Sequence, residues 1–576
     1  MVEISDFWKN ISEGGPRPFL VSPESIVTYA DLRALVCSAT ASLRRLQVPA
    51  GARIGILLED EAQASAALAA TLLEGLVPVM LPFGIGPPRL NAIKQLVEPA
   101  VIISDPEFFL SDASSPEAYP QVSGGSLAYL LFTSGTTSAP RGVEITRGNL
   151  CSHLDTLIRL FGFDQNARIF NPTPIAHTDG LIFGLLLTMA TGGTVIRPGP
   201  MRVSELDAWL GMARIHGATH MVTNPTVLSI IDRAATRTDY FSFKGFRGIL
   251  CSASNLRPDL WQRFETRFHT QLWNLYGLTE TVTTALYAGR HPEMGPVGTL
   301  GKPIDCEARL AAPESAALAN QAEDVGELQL RGPHIFRGYW KSPDLTAATF
   351  ASGGWMRTGD LVRRNPDGSY TFLGRVKTAI NSGGTLIRGE EIDECLLRHP
   401  AVAEAVTVGL PDEEFEEIAV SAVVLGAPAD EAGLIRHCRA ELEALKVPKR
   451  IIIVDAIPRG DAGKPNLQAV RDLLKMSLQP ARQTPATEAD DIDQRLIKLA
   501  ALVFGVEEAS LSPTSSPNEV NGWDSFRSVN LVLQAEELFS VRIPGKLLGT
   551  ITTLGTLSDI IRKSRSGVPM ASTDEA

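Results

Sequence analysis

The chain has 576 residues and a formal net charge of −12, with 44% hydrophobic and 20% charged residues. This length is several times that of an ordinary domain, so we expect at least three folding units, and the balanced composition excludes a largely disordered chain. The acidic charge argues against a nucleic-acid-binding surface, because no local cluster of Lys and Arg reverses it.

Neither the N-terminal region nor the most apolar stretches predict a signal peptide or a membrane span. Polar residues and a proline, among them Asp6, Lys9 and Pro16, interrupt the only apolar region near the N-terminus. The apolar stretches near 64–82 and 182–196 are broken by glutamate, proline or paired glycines and fall short of a bilayer span. We therefore expect a cytoplasmic protein.

Six cysteines are scattered along the chain, at positions 37, 151, 251, 306, 395 and 438. They form no CxxC pair, and no histidine stands at ligand spacing from them. The sequence therefore favours buried free thiols over a disulfide framework or a metal site.

Residues 1 to about 370 alternate apolar strand-like runs with longer helix-like runs. Examples are ARIGILL and PAVIIS for strands and EAQASAALAATLLEG for a helix. This rhythm is typical of stacked βα units, so the sequence predicts an α/β fold, with a large domain of several sheets over 1–373.

The pattern changes near Gly374. From there to 476, short strands such as AVAEAVTVGL, IAVSAVVL and RIIIVD surround two amphipathic helices, which predicts a small α+β domain. The stretch QPARQTPATEADD has no apolar period, and we expect a linker over 477–491. Residues 492–566 predict an all-α helical bundle, followed by a flexible tail over 567–576.

A loop rich in Thr, Ser and Gly follows an apolar strand in YLLFTSGTTSAPRGVEITRGNL, which begins at Tyr129 and runs on toward a helix. Such a loop exposes several backbone N–H groups and hydroxyls at once, an arrangement that holds phosphate oxygens. It is not a Walker loop, because GxxxxGK[ST] is absent. For the loop alone, a polar turn between strand and helix is the alternative.

Four further motifs follow in order: NLYGLTET at 274–281, WMRTGDL at 355–361, FLGRVKTAINSGG at 372–384 and IPRGDAGKPNLQAV at 457–470. With these five motifs the chain resembles the adenylate-forming family of acyl- and aryl-CoA ligases, nonribosomal adenylation domains and luciferases. The resemblance covers about residues 20 to 475. It implies a large N-terminal adenylation domain and a small, mobile C-terminal domain that swings about a hinge.

The resemblance implies a site for ATP. Tyr276 would stack near adenine, Asp360 would accept hydrogen bonds from both ribose hydroxyls, and Arg375 would reach the ribose or a phosphate. The Thr-, Ser- and Gly-rich loop would hold the β- and γ-phosphates. The residues placed around ATP and AMP are Thr133, Ser134, Gly135, Thr136, Thr137, Arg141, Ser252, Ala253, Ser254, Asn274, Tyr276, Gly277, Asp360 and Arg375.

The resemblance also implies three catalytic residues: Thr279 at the α-phosphate, Glu280 as the ligand of Mg²⁺, and Lys464 from the small domain. The substrate carboxylate and the nucleotide repel each other until cations neutralise the charge that develops in the transition state. Lys377 matches the hinge position. Taken singly, each residue has a structural alternative, such as a turn residue or an exposed lysine, so the interpretation depends on their joint order.

The sequence departs from the family pattern in three places. Ser138 replaces a common glycine, while Arg141 and Asn381 replace common lysines. Arg141 keeps the positive charge and adds a planar fork, so we expect phosphate binding to survive. The change at Asn381 puts only a secondary contact in doubt.

The acid is the least defined part of the prediction. In FNPTPIAHTDGLIFG, a histidine stands where acyl and aryl relatives have one, and the aspartate that binds an α-amino group in amino-acid-activating relatives is missing. An ordinary carboxylic acid is therefore favoured. Asp179 would bind a distal or β-amino group if it faced the pocket, and capping a helix is the alternative role of the histidine. The candidate pocket residues are His177, Thr178, Asp179 and Asn224.

The segment NGWDSFRSVNL near the C-terminus resembles small acyl carrier domains. Asp524, Ser525 and Phe526 stand where those domains have a DSL-type motif at the start of a helix. The resemblance implies that Ser525 carries 4′-phosphopantetheine, added by a phosphopantetheinyl transferase. A helix N-cap is the alternative role of this Asp-Ser pair.

Together these features predict a ligase that forms acyl-AMP with release of pyrophosphate and then loads the acyl group on its own carrier domain, for a downstream acceptor enzyme. A tether raises the effective concentration of the thiol to the order of millimolar. Three alternatives stay open. They are an acyl-CoA ligase that uses free coenzyme A, an adenylation–carrier pair for an amino or β-amino acid, and a catalytically silent nucleotide-binding scaffold.

Overall fold

The computed structural model describes most of the chain. The described ranges are 2–109, 118–133, 140–289, 292–311, 324–376, 380–382, 385–412, 416–442, 446–459, 465–478, 488–504, 506–517, 519–520, 523, 525–539, 541, 543 and 551–565. They contain four β-sheets, of nine, six, five and five strands. None of the described helices is long and apolar enough to cross a lipid bilayer.

The first three sheets are built from strands between residues 18 and 375. The last of these strands spans the boundary predicted at Gly374. The strand bounds are β1 (Pro18–Val21), β2 (Ile26–Thr28), β3 (Arg53–Ile56), β4 (Val77–Met80), β5 (Val101–Ile103), β6 (Leu127–Thr133), β7 (Arg141–Thr146), β8 (Arg168–Phe170), β9 (Thr194–Ile196), β10 (His220–Thr223), β11 (Gly248–Cys251), β12 (Leu272–Tyr276), β13 (Leu286–Gly289), β14 (Lys302–Pro303), β15 (Glu307–Ala311), β16 (Val325–Arg331), β17 (Gly338–Tyr339), β18 (Phe350–Ala351), β19 (Trp355–Arg364) and β20 (Tyr370–Arg375).

Helices pack against these sheets. A π-helical stretch, Gly180–Leu186, runs directly into α6. The helix bounds are α1 (Ile4–Glu13), α2 (Tyr29–Arg45), α3 (Glu61–Leu73), α4 (Pro87–Val97), α5 (Arg147–Phe161), α6 (Leu187–Thr191), α7 (Leu206–Ile215), α8 (Pro225–Ala234), α9 (Pro258–Phe268) and α10 (Pro343–Thr349). The runs ARIGILL, PAVIIS and EAQASAALAATLLEG form β3, β5 and α3, as predicted.

The nine-stranded sheet has the order β14-β13-β12-β11-β10-β8-β9-β1-β2, and the strands from β12 to β1 run parallel. The six-stranded sheet has the order β17-β7-β6-β4-β3-β5, with antiparallel β7 and β17 at one side. The third sheet is antiparallel, with β20 paired to β19 beside the order β15-β16-β19-β18. Parallel strands joined by helices confirm the predicted α/β fold.

Local sequence sets the bounds of α5. The Thr146 hydroxyl accepts a hydrogen bond from the Asn149 N–H at 3.1 Å, and the Asn149 side chain accepts one from the Thr146 N–H at 3.0 Å. This reciprocal cap satisfies N–H groups that the first turn leaves unpaired. Gly162 follows the last residue of the helix and caps it, with a left-handed φ of 69° that suits glycine.

The predicted phosphate loop leads to a strand rather than directly to a helix. β6 pairs antiparallel with β7, so the loop joins the two strands of a hairpin, and α5 begins only after β7. The sequence indicated that the loop runs on toward a helix, and the structure places β7 between the two. The segment RGVEIT is rich in β-branched residues, which favour a strand.

The small domain contains the fourth sheet, with the order β22-β21-β24-β23 and β25 paired to β24. The sequence predicted two helices here, and the described residues of this domain form three. The third, α13, begins inside the fifth motif, at Leu467. The bounds are β21 (Ile380–Ser382), β22 (Thr385–Ile387), β23 (Val402–Asp412), β24 (Glu416–Leu425), β25 (Arg450–Ile453), α11 (Gly389–Leu397), α12 (Glu431–Glu441) and α13 (Leu467–Leu478).

The described residues after the small domain form three further helices: α14 (Glu488–Phe504), α15 (Ser525–Phe539) and α16 (Leu554–Arg565). Residues of all three form one apolar core, and the ring of Trp523 stacks on Phe504 at 4.4 Å between centroids. α13 and α14 reach into the segment predicted as a linker at its two ends. We call α14, α15 and α16 the C-terminal helices.

Candidate active site

Ten of the predicted site residues follow the ends of parallel strands in the nine-stranded sheet. β8, β10, β11 and β12 are parallel neighbours, so their carboxyl ends lie at one edge. Ligands of α/β sheets bind at such an edge, which makes it the candidate active site. The segments after these strands carry His177, Thr178, Asp179, Asn224, Ser252, Ala253, Ser254, Gly277, Thr279 and Glu280.

The turn after β12 presents the predicted catalytic pair on a constrained backbone. A Cβ atom on Gly277 would lie 1.5 Å from the carbonyl oxygen of Thr283, so only glycine fits there. A short 3-10 helix covers Thr279–Thr281, and Val282 after it has a left-handed φ of 63°. The Thr178 hydroxyl donates to the Val282 carbonyl. A branched residue in this region is strained and is held by such contacts.

The Glu280 carboxylate is held by a tyrosine from a distant strand. The Tyr339 hydroxyl, on β17, donates to Glu280 Oε1 at 2.6 Å. Burial and the Glu280 carboxylate raise the pKa of Tyr339 although Arg141 opposes the rise, so the hydroxyl stays protonated as a donor. Tyr339 comes 59 residues after Glu280, and the sequence analysis missed it.

Three predicted nucleotide residues from three motifs meet at Asp360, and we call them the Asp360 cluster. The Tyr276 hydroxyl donates to Asp360 Oδ2 at 2.6 Å, and Arg375 Nε lies 2.8 Å from Oδ1. Asp360 is 1% exposed, whereas the Arg375 side chain is 54% exposed. Burial and the Asp360 carboxylate raise the pKa of Tyr276. The structure thus brings together residues that the sequence assigned to one nucleotide.

A buried carboxylate links the predicted acid side of the site to the predicted nucleotide side. The Ser252 hydroxyl donates to Asp179 Oδ2 at 2.7 Å, and Asp179 is 5% exposed. The Asp179 N–H donates to His177 Nδ1 at 3.3 Å, which leaves the proton of a neutral ring on Nε2. Ala253, next to Ser252, has a left-handed φ of 72°.

Two other predicted residues make structural contacts at this edge. Asn224 caps α8, because its side-chain oxygen accepts from the Val227 N–H at 3.0 Å. Asn274 is 3% exposed and donates to the Thr299 carbonyl at 2.8 Å. Their predicted roles at the acid and the nucleotide stay predictions.

A pair of buried histidines lies directly behind the turn after β12. His153 Nε2 lies 2.8 Å from the Thr283 hydroxyl, and its ring is 5.1 Å from that of His334. Burial lowers the pKa of His334 to about 4 and holds that of His153 well below its usual range. Both rings are therefore neutral near pH 7. The two histidines are far apart in sequence, and the sequence analysis did not single them out.

The remaining predicted residues lie either at the edges of the described ranges or outside them. Thr133 and Arg141, at the two ends of the loop, pair across the β6–β7 hairpin. Ser525 is the first residue of α15, at the predicted helix start. The predicted residues outside the described ranges are Ser134, Gly135, Thr136, Thr137, Lys377 and Lys464.

Two protein-family models match the large and the small domain. A family model for AMP-binding enzymes matches residues 7–340, and a model for the C-terminal domain of AMP-binding enzymes matches residues 391–464. Both matches end before the C-terminal helices.

Curated relatives and a solved structure point in the same direction. The chain is 35% identical to a sulfoacetate–CoA ligase of Cupriavidus necator over 355 residues, which are 61% of this chain and 68% of the relative. It is 35% identical to an oxalate–CoA ligase of Arabidopsis thaliana over 58% of this chain and 65% of the relative. O-succinylbenzoate coenzyme A synthetase of Bacillus subtilis, in complex with ATP and magnesium ion, has a TM-score of 0.70 at 25% identity, covering 82% of this chain and 99% of that one.

Proposed function

The chain belongs to the AMP-binding enzyme family and is an AMP-forming acid–thiol ligase, and from this premise we propose that it joins a carboxylic acid to coenzyme A. A carboxylate oxygen attacks the α-phosphorus of ATP, the bond to the pyrophosphate oxygen breaks, and acyl-AMP forms. The thiol, losing its proton, then attacks the acyl carbon, and AMP leaves.

The observation that carries the adenylation step is the Asp360 cluster. Residues from three motifs form two polar contacts of 2.6 and 2.8 Å around one buried carboxylate. Tyr276 comes from 84 residues earlier in the chain, and Arg375 from the strand paired with that of Asp360. A carboxylate in this position suits two adjacent ribose hydroxyls, because a charged acceptor strengthens each hydrogen bond. The exposed Arg375 side chain has room to turn toward the ribose or a phosphate.

The residues around Glu280 fit Mg²⁺. Tyr339 donates to one oxygen of this carboxylate at 2.6 Å, and such an outer contact orients a carboxylate ligand. A bound Mg²⁺ supplies positive charge next to the phosphates, which lowers the repulsion of the incoming acid. Thr279 would then contact the α-phosphate, and Lys464 would add the second cation.

Coenzyme A is the thiol that the relatives favour. The two curated relatives described above are named as CoA ligases, and the solved relative is a coenzyme A synthetase. The sequence analysis placed loading of an attached carrier first and free coenzyme A second, and the comparisons favour the second. His177 and Asp179, at the acid side, are the residues that we propose to contact the acyl group.

Self-loading of a carrier is the second candidate function. It is favoured by one structural observation, that α15 begins at Ser525 within three helices that share an apolar core. A phosphodiester at this position would lie in the favourable field of a helix N-terminus. In this candidate function, Ser525 carries the 4′-phosphopantetheine.

The first experiment measures acid-dependent exchange of pyrophosphate into ATP across a broad panel of acids. We expect exchange with at least one acid, and no exchange with any would refute the adenylation step. With the active acid, one reaction contains free coenzyme A and another contains only the phosphopantetheinylated chain. Acyl-CoA as the main product supports the first proposal, whereas an acyl group bound to the chain, and absent from Ser525→Ala, supports the second.

A further inference from the structure

A compact group of thiol, imidazole and carboxylate side chains lies between α11 and α12, apart from the candidate active site. Cys395 is on α11, and His437, Cys438 and Glu441 are on α12. One possible ligand atom from each of Cys395, His437 and Glu441 lies within 4.8 Å of the other two. His437 Nε2 and Glu441 Oε1 are 3.8 Å apart.

The helices explain how these side chains meet. His437 and Glu441 are four residues apart on α12, which places them on one face of the helix. α11 packs beside α12 and brings Cys395 to this face, 42 residues earlier in the chain than His437. The sequence analysis found no histidine at ligand spacing from any cysteine, because only the packing of the two helices creates that proximity.

A second thiol lies beside the group. The Cys438 side chain is hydrogen-bonded to that of Cys395, and both cysteines are buried. The His437 and Glu441 side chains are 20% and 37% exposed, so a cation has a path from solvent. Cysteine sulfur, imidazole nitrogen and carboxylate oxygen are ligands that zinc takes from proteins, and three protein ligands leave a fourth position for water.

We propose that Cys395, His437 and Glu441 form a site for Zn²⁺ or a similar borderline-soft divalent cation, with water in the fourth position. Thiol and imidazole ligands disfavour Mg²⁺, so this site does not compete for the cation of the ATP reaction. Bound metal would tie α11 to α12 and stabilise the small domain. The proposal does not depend on which thiol accepts the acyl group.

Metal binding requires the present contacts to rearrange. Arg398 Nε and Nη2 donate to Glu441 Oε2 at 2.8 and 2.6 Å, while Oε1 faces His437. The Arg398 guanidinium also contacts the Cys395 side chain, so it must move aside for a cation. His437 Nε2 lies 2.9 Å from the Cys395 carbonyl and must carry its proton on Nδ1 to bind a metal. Metal–ligand distances of about 2.0 to 2.3 Å require the ligand atoms to approach one another to about 3.5 Å.

Proton release accompanies the binding. The thiol that binds the dication loses its proton to solvent as the metal–sulfur bond forms. Metal affinity should therefore rise as the pH rises.

Cobalt(II) is the probe that tests this site, because a thiolate bound to cobalt gives a charge-transfer absorption that oxygen ligands do not give. The full chain, freed of metal with a chelator, is titrated with Co²⁺ alone. We expect this absorption and the visible bands of tetrahedral cobalt at one equivalent, with loss of both when Zn²⁺ is added. Absence of the thiolate absorption in the unaltered chain would overturn the proposal.

Variants locate the site. We expect Cys395→Ser to abolish the thiolate absorption and His437→Gln to weaken Co²⁺ binding at least about tenfold. Cys37→Ser, which alters a buried cysteine of α2, serves as the control and should bind Co²⁺ as the unaltered chain does. His437 is partly exposed, so its variant stays informative if Cys395→Ser does not fold. Unchanged Co²⁺ binding in His437→Gln would contradict the assignment.

Discussion

The Asp360 cluster and the C-terminal helices are held together in different ways. In the cluster, single polar atoms from three motifs meet at 2.6 and 2.8 Å. In the C-terminal helices, apolar residues of three neighbouring segments share one core, with Leu531 1% and Ala535 0% exposed. A substitution in the first region should therefore change chemistry more than stability. In the second region it should change stability and leave adenylation nearly unaltered.

The largest effect on chemistry is expected for Lys464→Ala, a substitution in the predicted adenylation machinery. We expect acid-dependent pyrophosphate exchange to fall by about a thousandfold, because a cation that stabilises transition-state charge is lost. Transfer from supplied acyl-AMP to a thiol should stay largely intact, since that step no longer has to neutralise a triphosphate. Lys475→Ala, on α13, is the control. Equal loss of both half-reactions would refute the separate role of Lys464.

Leu531→Ala should destabilise the apolar core of the C-terminal helices without affecting adenylation. Removing a fully buried leucine side chain costs about 3 kcal/mol of unfolding free energy. Hydrogen exchange should show faster exchange in α14, α15 and α16, while pyrophosphate exchange stays within about twofold. Val532→Ala, at a partly buried neighbouring position, is the milder control. A large loss of pyrophosphate exchange would show that the two regions are coupled.

Acid should destabilise the large domain through the buried histidines behind the active site. The pKa of His334 is about 4 in the folded chain, below the ordinary 6.5, so between these values the unfolded chain binds more protons. The free energy of unfolding is therefore unaffected by His334 above pH 6.5. It falls by on the order of 3 kcal/mol as the pH is lowered toward 4.

His334→Gln checks this expectation, because it removes the titrating group. Thermal unfolding of the variant, followed from pH 7 to pH 4, should depend on pH less steeply than unfolding of the unaltered chain. His216→Gln is the control, since His216, the residue after α7, is only partly buried. Parallel pH profiles for His334→Gln and the unaltered chain would contradict the prediction.

Asp360→Asn should lower kcat/KM for ATP by about a hundredfold. Hydrogen bonds to a charged acceptor contribute about 1.5 to 3 kcal/mol each, and the amide loses the charge while keeping the shape. Asp367→Asn, in the exposed turn between β19 and β20, should have little effect. The measurement is initial rate against ATP concentration, and a change smaller than about threefold would exclude a ribose contact.

Tyr339→Phe tests the hydrogen bond that orients the Glu280 carboxylate. Loss of the hydroxyl leaves Glu280 without its 2.6 Å donor, so the Mg²⁺ concentration for half-maximal exchange should rise about tenfold. Tyr370→Phe is the control, because its hydroxyl donates to the Ala308 carbonyl, at 3.4 Å. An unchanged Mg²⁺ requirement would indicate that Tyr339 has no part in positioning Glu280.

Motifs and periodicity predicted much of this molecule. The βα rhythm of the large domain and the start of α15 at Ser525 could be read from the sequence, because each depends on residues close together in the chain. The five motifs indicated the family for the same reason. The strand β7 was missed because RGVEIT, following a polar loop, was taken as the approach to a helix.

The sequence by itself thus determined the α/β class and the family, since propensity, period and motif order act locally, and it predicted which residues serve the nucleotide. Only the tertiary structure decided that Tyr339 holds Glu280, that Ser252 binds Asp179, and that Cys395 lies beside His437. These pairs join atoms whose separation along the chain carries no pattern. Their proximity arises from the order of strands and the packing of helices, which burial of apolar surface sets for the whole domain.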